Sequence, residues 1–268
     1  MFNCYWEDKE SRAIRAKEHT KLMDELFKPE IEYSLNNSFI YNERCIYSGD
    51  TTNHNSEIVL EDLDSVSAVL KYSNEEEYTA VLNFADYKVP GGMFLAGSRA
   101  QEESLCHEST LYNVLSQCYN YYGWNRQNLN KGLYKDRSIY SKDIIFIRDE
   151  DAVKCDVITC AAPNIRTARR WQNVEADENK LVLIKRIQHI LNVAAVNQVD
   201  NLILGAFGCG VFGQDPLEVA MIFKLCLEQI NNPFKKVIFA VPKGRGKDAV
   251  TNYKMFEYVF GGDKNETD

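Results

Sequence analysis

Two adjacent carboxylates, Glu102 and Glu103, follow Gln101 and stand a short way after a Gly91-Gly92 pair. A carboxylate aimed into a cleft there could protonate the leaving oxygen of a glycosidic bond and then, as a base, activate water. Two acids at a helix start also have a purely structural explanation, because negative charge there complements the helix dipole. That explanation leaves the glycine pair behind an apolar strand unaccounted for.

A second segment, Gly205-Ala206-Phe207-Gly208-Cys209-Gly210-Val211-Phe212-Gly213, ends at Asp215-Pro216. Asp215 reads as a helix N-cap and Pro216 as the first helical residue. Glycines there permit the conformations that turn successive N–H groups toward one anion. No Lys-Ser/Thr follows, so it is not a Walker loop. Gly208, Gly210 and Gly213 match G-x-G-x-x-G, but the acid that a dinucleotide site wants after the next strand is missing, since Val241 is followed by Pro242 and Lys243. The plainer alternative is a tight strand-to-helix connection with Phe212 in the core; in a binding site Phe212 would offer a face for stacking. A thiol nucleophile at Cys106 paired with His107 is disfavoured, because adjacent residues on one helix diverge.

These segments need a frame. Glu10 to Phe27 has a broad apolar face and reads as a helix ended by Pro29. From Ile31 to Tyr78, short apolar runs between polar turns, including Ile58 to Leu60 and Val66 to Val69, read as strands. Thr79 to Ala85 is a nearly continuous apolar run, expected of a strand buried on both faces. A helix from Gln101 to Tyr119 should follow the first glycine loop, and residues 120–142, rich in Tyr, Asn and Lys, read as a surface excursion. Then come strands at Ile144 to Ile147 and Val157 to Ala161, a helix from Asn179 to Val196, and a strand from Asn201 to Leu204. Helix Pro216 to Gln229, strand Val237 to Val241 and helix Asp248 to Tyr258 complete the chain. The pattern predicts one α/β domain, residues 1–268, with a mainly parallel, helix-flanked sheet and ligands beyond the carboxyl ends of its strands.

Composition narrows the function classes. Half of the 14 glycines fall in the two loops, and 45% hydrophobic with 26% charged residues excludes a disordered, collagen-like or membrane-spanning chain. A net charge of −8 disfavours direct binding of duplex nucleic acid, which needs a basic stripe. The densest basic stretches, Arg166 to Arg170 and Lys243 to Lys247, read as solvated surface. An anionic ligand should therefore be held by oriented backbone amides rather than by lysines. The eight cysteines and four histidines show no metal-ligand spacing, so no metal is expected. The start, Met1 to Asp8, has no basic region leading into an apolar run, which with unpaired thiols predicts a cytoplasmic setting.

Together the loops suggest a bipartite site, one surrounding a diphosphate and the other bringing carboxylates to a sugar. At this point the sequence resembles the microbial-type poly(ADP-ribose) glycohydrolases, whose signature is a glycine triplet followed after six to eight residues by Gln-Glu-Glu. Here it reads Gly91-Gly92-Met93, then Gln101-Glu102-Glu103. The likeness extends to the helix around Arg15 to Leu26, to Ala161-Ala162-Pro163-Asn164, and to Gly205 to Pro216. It implies a macrodomain-like three-layer α/β/α fold with a mixed, mainly parallel sheet and an N-terminal helical extension over residues 1–35. It further implies release of ADP-ribose from poly(ADP-ribose) or from an ADP-ribosylated macromolecule, such as a modified protein, without a cofactor. Glu103 would be catalytic and Glu102 would orient the ribose or leaving group. Asn83, Asp86, Gln101, Gly91, Gly92 and the Met93 backbone would line the ribose. Gly208, Cys209 (through its amide), Gly210 and Val211 would wrap the diphosphate, with Phe212 near the adenine or ribose.

Two positions depart from that pattern. Met93 stands where the third glycine is expected, and Asp86 where a ribose-binding Asn is expected. A carboxylate accepts hydrogen bonds but cannot donate as an amide does, and it adds negative charge beside the signature. These departures keep two alternatives open, an ADP-ribose-binding module without turnover and a hydrolase of a small ADP-ribose derivative.

Overall fold

A computed structural model describes residues 8–49, 56–230, 233–244 and 246–261. Cys4, His54, the first seven residues and Arg245 lie outside them.

Helix α1 (Lys9–Leu26) starts at Asp8, whose side chain accepts from the Ser11 N–H, and α2 (Lys28–Asn37) follows at once. Pro29 therefore opens a second helix instead of ending the chain's helical start. Its missing N–H costs nothing in a first turn, where N–H groups have no intrahelical acceptor. Strands β1 (Phe39–Tyr41) and β2 (Glu57–Glu61) come next, then α3 (Ser65–Tyr72). The run from Val66 to Val69, expected as a strand, is helical because Asp64 caps it: the carboxylate accepts the Ser67 N–H at 3.0 Å and fixes the first turn.

Strand β3 (Thr79–Phe84) leads into the first glycine loop. The predicted helix from Gln101 to Tyr119 is broken into α4 (Gln101–His107) and α5 (Leu111–Leu115), and α6 (Tyr119–Gln127) begins where it should end. The break has a cause in the sheet, since Ser109 bridges Phe146 and the Thr110 N–H donates to Ile145 O. Residues 120–142 are no surface excursion: α6 buries Tyr121, Tyr122 and Asn125, and β4 (Ser138–Arg148) begins inside the segment. Polar composition misled there because the polar groups pair internally. The Arg137 guanidinium donates to Asn125 and Asn42, and Asn125 Nδ2 donates to Tyr87 O.

Strand β5 (Asp151–Cys160), α7 (Ile165–Gln172), α8 (Ala176–Val196), β6 (Asn201–Leu204), α9 (Pro216–Gln229), β7 (Lys236–Ala240) and α10 (Lys247–Phe260) finish the chain. The seven strands form one sheet in the order β1-β4-β5-β3-β6-β7-β2. Strands β5, β3, β6, β7 and β2 run parallel, while β4 is antiparallel to both β5 and β1. This is the mixed, mainly parallel sheet with helices and an N-terminal helical segment that the sequence predicts.

Ala80, Val81 and Leu82 of β3 are buried on both faces, one set against α8 and α9 and the other against α3, α4 and α5. Each buried leucine or isoleucine in such a core is worth about 2–5 kcal/mol against alanine. That rigidity holds the carboxyl ends of β3, β5 and β6 together at one rim, where both glycine loops leave the sheet. No described helix is long and apolar enough to cross a membrane.

Candidate active site

The first glycine loop begins at the end of β3. Asp86 Oδ1 accepts the N–H groups of Lys88 (2.7 Å) and Val89 (2.9 Å), an Asx turn that reverses the chain. Gly91 and Gly92 then take φ of +66° and +57°, the left-handed region. They meet different neighbours. A β-carbon on Gly91 would strike the Tyr112 ring at 2.7 Å, so that glycine serves packing, and the expectation that it makes room for a ribose is not where its missing side chain points. On Gly92 it would lie 2.9 Å from Glu103 Oε1 and 3.0 Å from Glu102 Oε2. Gly92 is thus the position over which the two carboxylates converge.

Both carboxylates are almost fully buried, 3% and 5% exposed. Glu102 accepts from Asn83 Nδ2 (3.2 Å) and from the Asp86 N–H (2.6 Å). Glu103 accepts from the Met93 N–H (2.9 Å) and closes back on the Ala100 N–H (3.0 Å) as a helix-start residue. The capping explanation is therefore true of Glu103 but covers only one of its oxygens. Burial pushes the Glu102 carboxyl well above the usual carboxylate range, opposed by its Asp86 and Asn83 hydrogen bonds, and the charges of Glu103 and Asp86 push it further up.

The remaining first-loop residues fall into place around this pair. Asn83 is fully buried beneath Glu102, its amide shared with Thr159 Oγ1 at 3.3 Å and its Oδ1 without a partner among the described residues. Gln101 is a strap between α4 and the sheet: Oε1 accepts the Phe84 N–H (2.8 Å), and Nε2 donates to Leu82 O (2.9 Å) and Ser65 Oγ (3.0 Å). Met93 has φ −102° and a side chain 55% exposed. Glycine is not required there, because the backbone is ordinary and the side chain leaves the loop. Behind the loop, Gly97 (φ +75°) lies so close to α1 that a β-carbon would overlap Lys9 O at 2.1 Å, and Arg12 Nε donates to Gly97 O at 2.8 Å. The N-terminal helix is the brace of this loop.

Cys106 and His107 do not form a catalytic pair. Burial pushes the Cys106 thiol well up, with the Glu102 and Glu103 charges adding to it, so it stays protonated. Burial, helped by Arg15, His19 and Arg12, lowers His107 to about 4, and its ring lies edge-on to Phe94.

The second loop leaves β6 and arches toward β5. Gly208 (φ +78°) is pressed on Ala162, where a β-carbon would meet Ala162 Cβ at 2.7 Å, and Gln214 Nε2 ties the loop to Pro163 O at 2.7 Å. The N–H groups of Gly208, Gly210, Val211 and Phe212 donate to no acceptor among the described residues. Amides without acceptors on a glycine-rich turn are the kind of group that can receive an anion. Cys209 corrects the expectation: its amide is already donated to Ala206 O at 3.1 Å, because the turn needs that bond to close. Phe212 lies edge-on to Tyr134, which stacks on Tyr87 at 4.2 Å between ring centroids. Tyr87, Tyr134 and Ala161 form a small buried cluster against which Phe212 packs, a role that sequence reasoning missed because an aromatic in a polar stretch carries no signal of its own.

Among the described residues no group of three or more His, Cys, Asp or Glu could hold a metal ion. The arrangement is two hydrogen-bonded carboxylates and a glycine-rich turn with acceptor-free amides, all at one rim of a parallel sheet.

Comparison with known proteins gives this arrangement a context. The solved poly(ADP-ribose) glycohydrolase of Thermomonospora curvata superimposes with a TM-score of 0.82 at 25% identity, over 94% of this chain and 100% of that one. The same enzyme bound to the inhibitor ADP-HPD gives 0.79 at 25% identity, over 93% and 99%. The poly(ADP-ribose) glycohydrolase of Deinococcus radiodurans in complex with ADP-ribose gives 0.75 at 28% identity, over 87% and 98%. No curated protein matches by sequence. The family model "Microbial-type PARG, catalytic domain" matches residues 10–149, a span that runs from the bracing helix through the glycine loop and both glutamates, and the chain belongs to that family.

Proposed function

We propose that this chain is an ADP-ribosyl glycohydrolase that cleaves the ribose glycosidic bond of poly(ADP-ribose), or of an ADP-ribosylated macromolecule, and releases ADP-ribose. The observation that carries the reading is the convergence of two buried carboxylates over Gly92, at the same rim as four acceptor-free amides. The second loop would hold the diphosphate through the N–H groups of Gly208, Gly210, Val211 and Phe212, and the ribose would lie over Gly92 against the carboxylates. Asp86 Oδ2, unlike Oδ1, has no partner among the described residues and is available to a ribose hydroxyl.

Burial and the neighbouring charges of Glu103 and Asp86 push the Glu102 carboxyl up, so Glu102 retains its proton to higher pH than a solvated carboxylate does. In the forward step Glu103 delivers a proton to the leaving oxygen as the bond to the anomeric carbon breaks. The negative charge remaining on the pair stabilises the oxocarbenium-like ribose. Glu103 then removes a proton from the water that attacks the anomeric carbon, which restores the pair. Glu102 orients the ribose by hydrogen bonding, and Asn83 and the Asp86 amide hold Glu102 in place. Phe212 offers the stacking face.

The chemistry needs no cofactor. Cys45, Cys106, Cys118, Cys155, Cys160, Cys209 and Cys226 are free thiols, which supports a reducing, cytoplasmic setting. The test is incubation with poly(ADP-ribose) and chromatography of free ADP-ribose. Release by the wild type and its loss in Glu103→Gln are expected; equal release by the variant would sink the assignment of Glu103.

A further inference from the structure

The basic stretch that reads in the sequence as plain solvated surface has a definite place. Helix α7 follows the carboxyl end of β5 and buries Ile165 and Ala168 against Leu133 and Val174. Arg166, Arg169 and Arg170, at helical spacing i, i+3 and i+4, share the opposite, exposed face. With Ile165 and Gly213 they line an open depression of about 480 Å³. Gly213 is the end of the diphosphate loop, and the Arg166 N–H donates to Phe212 O at 3.2 Å, so the depression adjoins the candidate site directly.

The charge there is unusual for this chain. Net charge is −8, and neighbouring cations are paired: Lys131 with Glu178, Lys180 with Glu218, Arg186 with Asp136. None of the three α7 guanidiniums pairs with a carboxylate among the described residues; the Arg170 guanidinium lies over the Trp171 ring, 4.9 Å from its centroid. Trp171 is itself 67% exposed. Three unpaired guanidiniums beside an exposed indole offer phosphate recognition and a face for a base.

We infer that the Arg166–Arg169–Arg170 face of α7 is a second nucleotide subsite, which holds the diphosphate of the adjoining ADP-ribose unit of a polymer while one unit occupies the candidate site. The inference rests on the proposed function and narrows its substrate to the polymer. A single ADP-ribose fills the loop amides and leaves α7 empty, whereas a chain carries two further negative charges with each unit and can engage both.

The experiment compares wild type with R166Q/R169Q/R170Q and with R169Q/R170Q, which leaves the residue bonded to Phe212 untouched. Readouts are Kd for free ADP-ribose, KM and kcat on size-fractionated poly(ADP-ribose), and their dependence on salt. The expected result is an ADP-ribose Kd within about twofold of wild type, polymer KM raised roughly tenfold or more in the triple variant, and kcat preserved. The slope of log KM against log salt should fall by about 2, as for three phosphate contacts on a single strand. Equal losses on polymer and ADP-ribose, or no loss on polymer, would overturn it. So would single-stranded RNA of equal charge competing as well as the polymer, which would make α7 a general polyanion surface. If wild type fails to bind ADP-ribose, the functional reading falls and this inference with it; if ADP-ribose binds but polymer gains nothing from α7, only the subsite falls.

Discussion

Gly92→Ala separates the geometry proposed for the two carboxylates from mere proximity. The φ of +57° places any side chain in the left-handed region, at about 1–2 kcal/mol for alanine. For a chain of this size that lowers Tm by roughly 2–8 °C, which leaves it folded at assay temperature. The added methyl would lie 2.9 Å from Glu103 Oε1 and 3.0 Å from Glu102 Oε2, so loop and carboxylates must separate by about half an ångström to reach ordinary contact. The bond from the Met93 N–H to Glu103, 2.9 Å long, is the one that has to stretch. Misplacing a catalytic group on this scale lowers kcat by about ten- to a hundredfold. The diphosphate loop does not touch Gly92, so ADP-ribose Kd should change far less than kcat. The contrast is Met93→Ala: with φ −102° and the side chain mostly in solvent, it should lose no more than about threefold. The assay is ADP-ribose release from polymer, alongside calorimetric Kd and a thermal melt. A Gly92→Ala enzyme with wild-type kcat, or Met93→Ala as damaged as Gly92→Ala, would refute the reasoning.

Three further outcomes follow from the same contacts. Gln101→Leu leaves the Phe84 N–H and Leu82 O without their partners, and urea unfolding should show a loss of about 2–4 kcal/mol. Asp86→Asn keeps the Asx-turn acceptor but removes a charge that raises Glu102, so the alkaline limb of the kcat profile should move to lower pH; a shift upward would contradict the assignment. His189, fully buried, accepts the Cys45 N–H on Nδ1 and is lowered by burial to about 4, so its neutral form is the folded one. Its contribution is complete above the ordinary histidine value near 6.5 and is lost as pH falls toward 4, about 2 kcal/mol by pH 5, and His189→Gln should flatten that part of the stability profile measured in urea.

The parallel core was legible because its signals are local. Thr79 to Phe84 is apolar on both faces, and Asp215-Pro216 starts a helix by capping chemistry that needs no distant partner. What escaped depends on contacts far along the chain. The segment 120–142 looked solvated because nothing local shows that Arg137 ties Asn125 to Asn42, or that Asn125 holds Tyr87 O. Val66 to Val69 has strand-like residues and a helical cap, and the cap prevailed. In the site, residue identity was legible and direction was not. Gly91 and Gly92 are alike in sequence, yet one missing side chain points at Tyr112 and the other at the glutamates. Met93 looked like a defect only while the signature was read as three equivalent glycines.

The same distinction shows how an acidic chain would hold the anionic ligand of the proposed function. A lysine or arginine placed to grip the diphosphate beside the glutamates would add positive charge there, and that charge would pull the proton affinity of Glu102 down. Neither glutamate has such a partner among the described residues, and what raises Glu102 is burial and neighbouring negative charge. Backbone amides bind an anion with partial charges fixed in direction, which fall off quickly and leave the acid form intact. On the proposed function, the second-loop glycines would serve the glutamates as well as the ligand. They allow an anion site to be built without a cation that would disarm the acid beside it. The three arginines of α7 fit this division of labour: full positive charge lies outside the acceptor-free amides, and neither glutamate pairs with it.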